Sequence, residues 1–241
     1  MIPLTVIPCR LRRDCVMEDK RYYQAYDIRY KAAHSKGVSW ASESSTPMVI
    51  KTIEKYGISK ESALLEIGCG EGRDSKAVLE LGYNLLATDV SGEAVLYCQR
   101  LMPEYKSRFR VLDCLTGELD ESYDFIYSVA VIHMLVLDCD RDGFYQFIKR
   151  HLKPDGIALI LTMGDGETQM QTDINSAFDI VQRSHESGKM MVASTSCRMV
   201  SFESFRKELE RNGLYIIEDG LTDSLPDFNS LLYAVVRRSR I

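Results

Sequence analysis

From residue 62 onward the chain alternates between two patterns. ALLEI (63–67), NLLATD (84–89), RFRVLD (108–113), YDFIYSVAVI (123–132) and GIALILTM (156–163) are short runs rich in apolar residues. Each has the length and composition of a strand buried on both faces. Between them, DSKAVLELG (74–82), SGEAVLYCQRLM (91–102) and RDGFYQFIKRHL (141–152) carry apolar residues at helical spacing. Ser91 suits the N-cap of the second helix, Gly82 stops the first, and Pro103 lies beyond the end of the second. Strands that alternate with helices call for right-handed crossovers and a parallel sheet covered on both sides.

The flanks are less regular. Residues 17–35 read as a helix with Tyr22, Tyr26 and Tyr30 on one face, four residues apart. A polar stretch, SKGVSWASESST, follows with the only tryptophan, Trp40, and Pro47 then opens a helix that ends at Gly57. After Met163 the beat is lost: residues 164–200 are polar and Met-rich, with DINSAFDIVQRSHES (173–187) as a candidate helix. SFESFRKELERNG (201–213) is amphipathic, stopped by Gly213. LYIIEDG (214–220) and SLLYAVVRR (230–238) read as two strands too close for a crossover helix, hence an antiparallel pair at the sheet edge. The expected fold is α/β: a Rossmann-like, doubly wound sheet of seven strands, mostly parallel, the last antiparallel. Residues 1–45 would form an N-terminal arm and lid helix, and 46–241 the main domain with 164–200 as a cover over the substrate.

Composition narrows the class. At 241 residues, 45% apolar and 27% charged, the chain has the make-up of one soluble α/β domain. No apolar stretch approaches the roughly 18 residues a membrane span requires. The opening MIPLTVIPCRLRRD fits a secretory signal poorly and reads as a mature arm, an edge strand being one option. Seven scattered cysteines, odd in number and without a C-x-x-C pair, point to a reducing cytoplasm rather than to disulfides or zinc. A net charge of −5 argues against a general affinity for nucleic acid.

The chemistry begins at Gly68, Gly70 and Gly72, which follow the first strand at alternate positions. A strand, a glycine-rich turn and a helix bring backbone N–H groups close to a ligand. The spacing G-x-G-x-G differs from the dinucleotide pattern, whose third glycine would fall at Arg73. Asp89 ends the second strand 21 positions after Gly68, where a carboxylate can hold a ribose diol. The combination asks for a nucleoside.

LLEIGCGEG, ATDVS, VLDC, YDFIYS and LKPDGIALIL, in this order, resemble the motifs of the class I S-adenosylmethionine-dependent methyltransferases from about residue 45 onward. GEGRDS and LGYNLLATDVS are similar to the tellurite-resistance and thiopurine methyltransferase branch. The resemblance implies S-adenosyl-L-methionine as cofactor and S-adenosyl-L-homocysteine as product. It implies that Glu66, Gly68, Cys69 and Gly70 lie near the methionine part and that Asp89 binds both ribose hydroxyls. Val90 would pack on adenine, Asp113 would accept its amino hydrogen, and Cys114 sits beside it. Ser128 would lie near the sulfonium.

Methyl transfer from a sulfonium is an in-line displacement that depends on alignment and exclusion of water. A base matters only for a protonated nucleophile. His133, after the fourth strand, is the candidate for that role, and Tyr22 and Tyr26 are candidates to cover or serve the site, with Trp40 as part of a lid. Met190, Met191, Met199 and Arg198 are candidate acceptor contacts. The Asn/Asp-Pro-Pro-aromatic tetrad of DNA and exocyclic-amine methyltransferases is missing after the fourth strand. A small-molecule acceptor is expected, with no nucleic acid, no membrane, no metal, and a monomer or homodimer. An NAD-linked oxidoreductase and a non-catalytic cofactor-binding protein are the rival readings.

Overall fold

The computed structural model describes residues 21–42, 44–223, 225 and 228–239. The N-terminal arm, Cys9 and Cys15 lie outside the described residues. A 3-10 turn, Tyr22–Gln24, leads into α1 (Ala25–His34), and α2 (Pro47–Lys55) follows after the Trp40 loop. Then come β1 (Ala63–Ile67), α3 (Arg73–Glu80), β2 (Asn84–Asp89), α4 (Gly92–Leu101), β3 (Phe109–Val111), β4 (Tyr123–Val129), α5 (Asp138–His151) and β5 (Leu152–Met163). The next segment holds β6 (Met170–Gln171), β7 (Ile180–His185), β8 (Gly188–Ala193) and β9 (Arg198–Met199). α6 (Phe202–Arg211), β10 (Leu214–Thr222) and β11 (Leu231–Arg238) complete it.

The main sheet has the expected seven strands, in the order β10-β11-β5-β4-β1-β2-β3. β11 runs antiparallel to both of its neighbours, and the pairings among β1 to β5 are parallel. Successive residues of the central strands feed opposite layers. Leu65, Ile126, Ala158 and Ile160 pack with Phe144, Ile148, Phe205 and Leu209 of α5 and α6. Leu64, Phe125, Leu159 and Leu161 pack with Ile53, Val78, Leu79 and Val95 of α2, α3 and α4. Burial on both faces accounts for the continuous apolar runs. The strand order reverses between β4 and β1, so the loops after these strands diverge at their carboxyl ends and leave a crevice.

Two expectations need correction. Residues 173–187 do not form a helix: a short 3-10 turn, Ile174–Ser176, is followed by β7, paired with β8 as a hairpin from Ile180↔Ala193 to His185↔Gly188. The reason is a period of two in β8, where Met190 and Val192 are buried and Lys189 and Met191 exposed. Gly188, at φ 110°, helps to close the tight turn. The tyrosine stripe also breaks. Tyr22 belongs to the 3-10 turn, whose tighter winding takes it out of phase with Tyr26 and Tyr30.

Candidate active site

A cavity of about 870 Å³ opens at the carboxyl ends of β1, β2 and β4, under α1, the Trp40 loop and the β7–β8 hairpin. Glu66, Gly68, Cys69, Gly70 and Asp89 line it, so two of the sequence motifs meet on one surface. The glycines are there for stereochemical reasons. Gly68, Gly70 and Gly72 have φ of 78°, 52° and 81°, a region L side chains avoid. A Cβ on Gly68 would stand 2.2 Å from Val131 Cγ2, and one on Gly70 would stand 2.8 Å from the Tyr30 hydroxyl.

Asp89 is 8% exposed. Its Oδ2 accepts the Gly70 N–H at 2.8 Å and its Oδ1 the Ser91 N–H at 2.8 Å. Burial raises its carboxyl to about 6, against the pull of the backbone donors at Ser91, Gly70 and Val90. Glu66, deeper in the cavity, accepts hydrogen bonds from the Ser75 hydroxyl and, at 3.0 Å, from Tyr127. Burial, with Asp74 next to it, pushes the Glu66 carboxyl above its usual range. Asp74 accepts the backbone N–H of Thr46 at 2.5 Å and its hydroxyl at 2.9 Å, which ties the start of α2 to the turn.

The remaining motif residues lie elsewhere. Val90 lines a separate groove with Ile28, Leu96 and Phe178 on the outer side of α1. Asp113 accepts the Tyr23 hydroxyl at 2.9 Å and the Leu115 N–H at 2.9 Å. Cys114, whose thiol burial pushes up to about 12, packs against the α5–α6 layer. Ser128 is buried in β4, its Oγ without a hydrogen-bond partner. The structure therefore gathers the motifs of β1 and the carboxylate of β2 on one cavity, while α1 stands between that cavity and the residues expected to hold a base.

The candidate catalytic residues divide in the same way. His133 lies in the 3-10 turn Ile132–Met134 and is 4% exposed; its neighbours Val131 and Met134 face the cavity in its place. Burial, and then the Arg141 and Arg29 guanidiniums, lower its imidazole to about 4, so it is neutral near pH 7. Tyr22 is an anchor: its hydroxyl donates to Asp140 at 2.7 Å and accepts the N–H groups of Val136 and Leu137 at 3.0 and 3.2 Å. Tyr26 lines the cavity, and so do Trp40 and Tyr30. Burial and the nearby Asp89 and Glu71 carboxylates keep the Tyr30 hydroxyl protonated well above its usual range.

Of the expected acceptor contacts, Met190 packs on Ala33 and Val192, and Met191 faces outward. Arg198 is held at 2.7 Å by Val136 O and by Asp138.

Sequence reasoning missed the residues that grip α1. Glu71 accepts the backbone N–H groups of Trp40 and Ala41, at 2.7 and 2.8 Å. It stood inside the glycine motif and could have been flagged there. Buried Arg29 donates to Ala193 O, Ser194 O and the Thr195 hydroxyl at 2.7–2.8 Å, and packs on the rings of Tyr26 and Trp40. His185, stacked on Trp40, donates from Nε2 to Ser39 O at 2.8 Å while its Nδ1 accepts the Ser187 N–H at 3.1 Å. Among the described residues no group of three or more His, Cys, Asp and Glu is placed to hold a metal ion. No helix among them is long and apolar enough to cross a membrane.

The cavity fits a nucleoside cofactor on its own geometry: a backbone cradle that side chains would fill, next to a buried carboxylate with acceptor capacity. Residues 65–160 match the methyltransferase domain family. No curated protein matches the chain. Among solved structures, an S-adenosylmethionine-dependent methyltransferase from Clostridium acetobutylicum ATCC 824 superposes with a TM-score of 0.64 at 15% identity, covering 90% of this chain and 99% of that one. The Burkholderia thailandensis 1,6-didemethyltoxoflavin-N1-methyltransferase, with 1,6-didemethyltoxoflavin and S-adenosylhomocysteine bound, gives 0.67 at 15% identity, covering 94% and 93%. The glycopeptide N-methyltransferase MtfA in complex with S-adenosylmethionine gives 0.61 at 19%, covering 81% and 94%. At these identities the likeness establishes the fold. The motif order, the sheet topology and the matched segment agree: residues 65–160 carry the match to a methyltransferase domain, and the chain shares the fold of these S-adenosylmethionine-dependent methyltransferases.

Proposed function

We propose that the chain moves a methyl group from S-adenosylmethionine to a small-molecule acceptor held in the cavity beneath α1 and the β7–β8 hairpin. The observation that carries this reading is the convergence of Glu66, Gly68, Cys69, Gly70 and Asp89 on one cavity at the carboxyl ends of β1 and β2. Two of the structural neighbours, named for a toxoflavin precursor and a glycopeptide, fit an acceptor other than nucleic acid.

The cofactor supplies a methyl group on a positively charged sulfur, with a neutral thioether as leaving group. The chain's own work is then positional. The glycine turn lets main chain approach the ligand without intervening Cβ atoms. Asp89, already ordered by Gly70 and Ser91, offers its remaining lone pairs to a diol, and Glu66 places a hydrogen-bonding carboxyl beneath the methionine end. Asp113, Val90 and Cys114 are assigned to the base, reached once the 3-10 turn before α1 yields the Tyr23 contact. Ser128 and His133 shape the strand end behind the cavity wall. Tyr26, Tyr30 and Trp40 close the acceptor side and exclude water, which contributes alongside alignment to such a displacement. Residues 46–241 act as the transfer domain, 21–45 as its lid and 164–200 as its cover.

Thermal unfolding with added ligand tests the reading. S-adenosylhomocysteine is expected to raise the melting temperature and NAD to leave it unchanged; the reverse would sink it. Asp89→Ala is expected to weaken S-adenosylhomocysteine binding by a few kcal/mol in calorimetry, because a buried diol loses its acceptor. Unchanged affinity would contradict the role given to Asp89.

A further inference from the structure

His34, the last residue of α1, closes on the site like a clasp. Its Nε2 lies 2.8 Å from Glu71 Oε1 and its Nδ1 lies 2.7 Å from Glu93 Oε1. The ring stacks on Tyr97 at 4.3 Å and on Tyr30 at 6.0 Å between centroids. The His34 side chain is 8% exposed and the Glu71 side chain 4%. Three of these neighbours, Tyr30, Glu71 and Tyr97, line the cavity, and Glu71 also fixes the backbone of Trp40 and Ala41.

Resting on the methyltransferase reading of this cavity, we propose that His34 is the positioning residue of the lid, and that the lid is latched when its imidazole is charged. Ionised carboxylates only accept hydrogen bonds, and a neutral imidazole donates from one nitrogen alone. Both contacts are satisfied together by the doubly protonated ring. In the neutral ring a nitrogen lone pair would face a carboxylate lone pair at hydrogen-bond distance, in a site largely shut off from solvent. The charged groups around the ring agree with this. Glu71 approaches from the glycine turn and Glu93 from α4, so acids flank it on both sides. Arg100 reaches Glu93 Oε1 at 3.3 Å from the exposed side, and Lys31 on α1 is paired with Asp27 at 2.7 Å. Tyr30 and Tyr97 contribute hydroxyls. Loss of the ring's second proton therefore loosens the contact between α1 and the turn, beside which the Tyr30 hydroxyl sits over Gly70.

The experiment compares the wild type with His34→Gln, which keeps one donor and no charge. S-adenosylhomocysteine affinity is measured by calorimetry at pH 6 and pH 9. The ratio of the two proteins' affinities cancels the titration of Asp89 and of the ligand's own amine. The ratio is expected to be roughly tenfold in favour of the wild type at pH 6, the scale of one charge-assisted hydrogen bond, and near one at pH 9. A ratio that does not change with pH overturns the proposal. A second readout needs neither ligand nor variant. Trp40 is the sole tryptophan and its backbone N–H rests on Glu71, so its fluorescence in the wild type is expected to shift to longer wavelength between pH 6 and pH 9. An unshifted spectrum also overturns the proposal. If neither protein binds S-adenosylhomocysteine at either pH, the cofactor reading fails, and the Trp40 signal still decides the clasp.

Discussion

Gly68 shows how one position can be fixed twice over. Its φ of 78° disfavours any other residue, and Val131 occupies the volume a side chain would need. Gly68→Ala is expected to lower stability by about 1–2 kcal/mol through the left-handed backbone. It should also cut S-adenosylhomocysteine affinity at least tenfold, because relieving the clash moves Val131 into the cavity. Adding Val131→Ala should recover part of the affinity but none of the backbone cost, which urea unfolding of the single and double variants would check. His133 makes a prediction of the other kind. Its folded-state value near 4 lies below that of an ordinary imidazole. Unfolding therefore takes up a proton below about pH 6.5. Its contribution is complete above that pH and is lost as pH falls towards 4, to a limit of about 3 kcal/mol. Because Glu66 and Asp89, whose carboxyls are raised, work in the opposite direction over part of this range, the measurement is a difference. Wild type minus His133→Asn, followed by urea unfolding at stepped pH, should decline between pH 6.5 and 4; a constant difference would refute the burial argument.

At the scale of elements, α5 and α6 are joined by a buried ion pair that also sets the cavity wall. Arg141 donates to Glu208 at 2.9 Å from Nε and 2.6 Å from Nη2, and its Nη1 holds Ile132 O and Leu135 O, at 2.8 and 3.2 Å. Tyr145 adds a hydrogen bond to Glu208 at 2.9 Å. Glu208→Gln leaves the guanidinium buried without its anion and is expected to cost about 3–5 kcal/mol, read from denaturant midpoints. Because Arg141 also pins the 3-10 turn that carries Val131 and Met134, the variant should bind S-adenosylhomocysteine more weakly even where it is fully folded. The strands and crossover helices were legible in the sequence because burial on both faces writes them as continuous apolar runs between capped helices. The β7–β8 hairpin was not. Its alternation is confined to a few positions of β8, and β7 exposes most of its residues. The glycines could be read because backbone geometry forces their identity, and Asp89 because a carboxylate ends the strand that follows them. The grips of α1 could not, because His34 meets Glu71 across 37 positions and Arg29 meets Thr195 across 166. No local pattern records such pairings.

Across the whole molecule, the segment matched to the methyltransferase domain family, 65–160, contains the glycine turn, Glu66 and Asp89. The parts outside it, α1, the Trp40 loop and the β7–β8 hairpin, close the other side of the cavity. The motif signal was strong inside the matched segment and weak outside it, because the glycine turn and the strand ends follow local rules and the lid contacts do not. α1 and the 3-10 turn before it bind to five separate regions of the carboxyl-end rim, three of them through α1. Through Asp27 it reaches Ser91 at the start of α4, through His34 the glycine turn, and through Arg29 the end of the hairpin. The 3-10 turn before it reaches Asp113 and Asp140.

The position of β11 has one more consequence. It enters between β5 and β10, pairing with both, although it follows both of them in the chain. Until residues 231–238 emerge from the ribosome, β5 has a bare flank and β10 no partner in the sheet. During that interval the bare edge of β5 is open to strands of other chains, and early docking of β11 is what protects it.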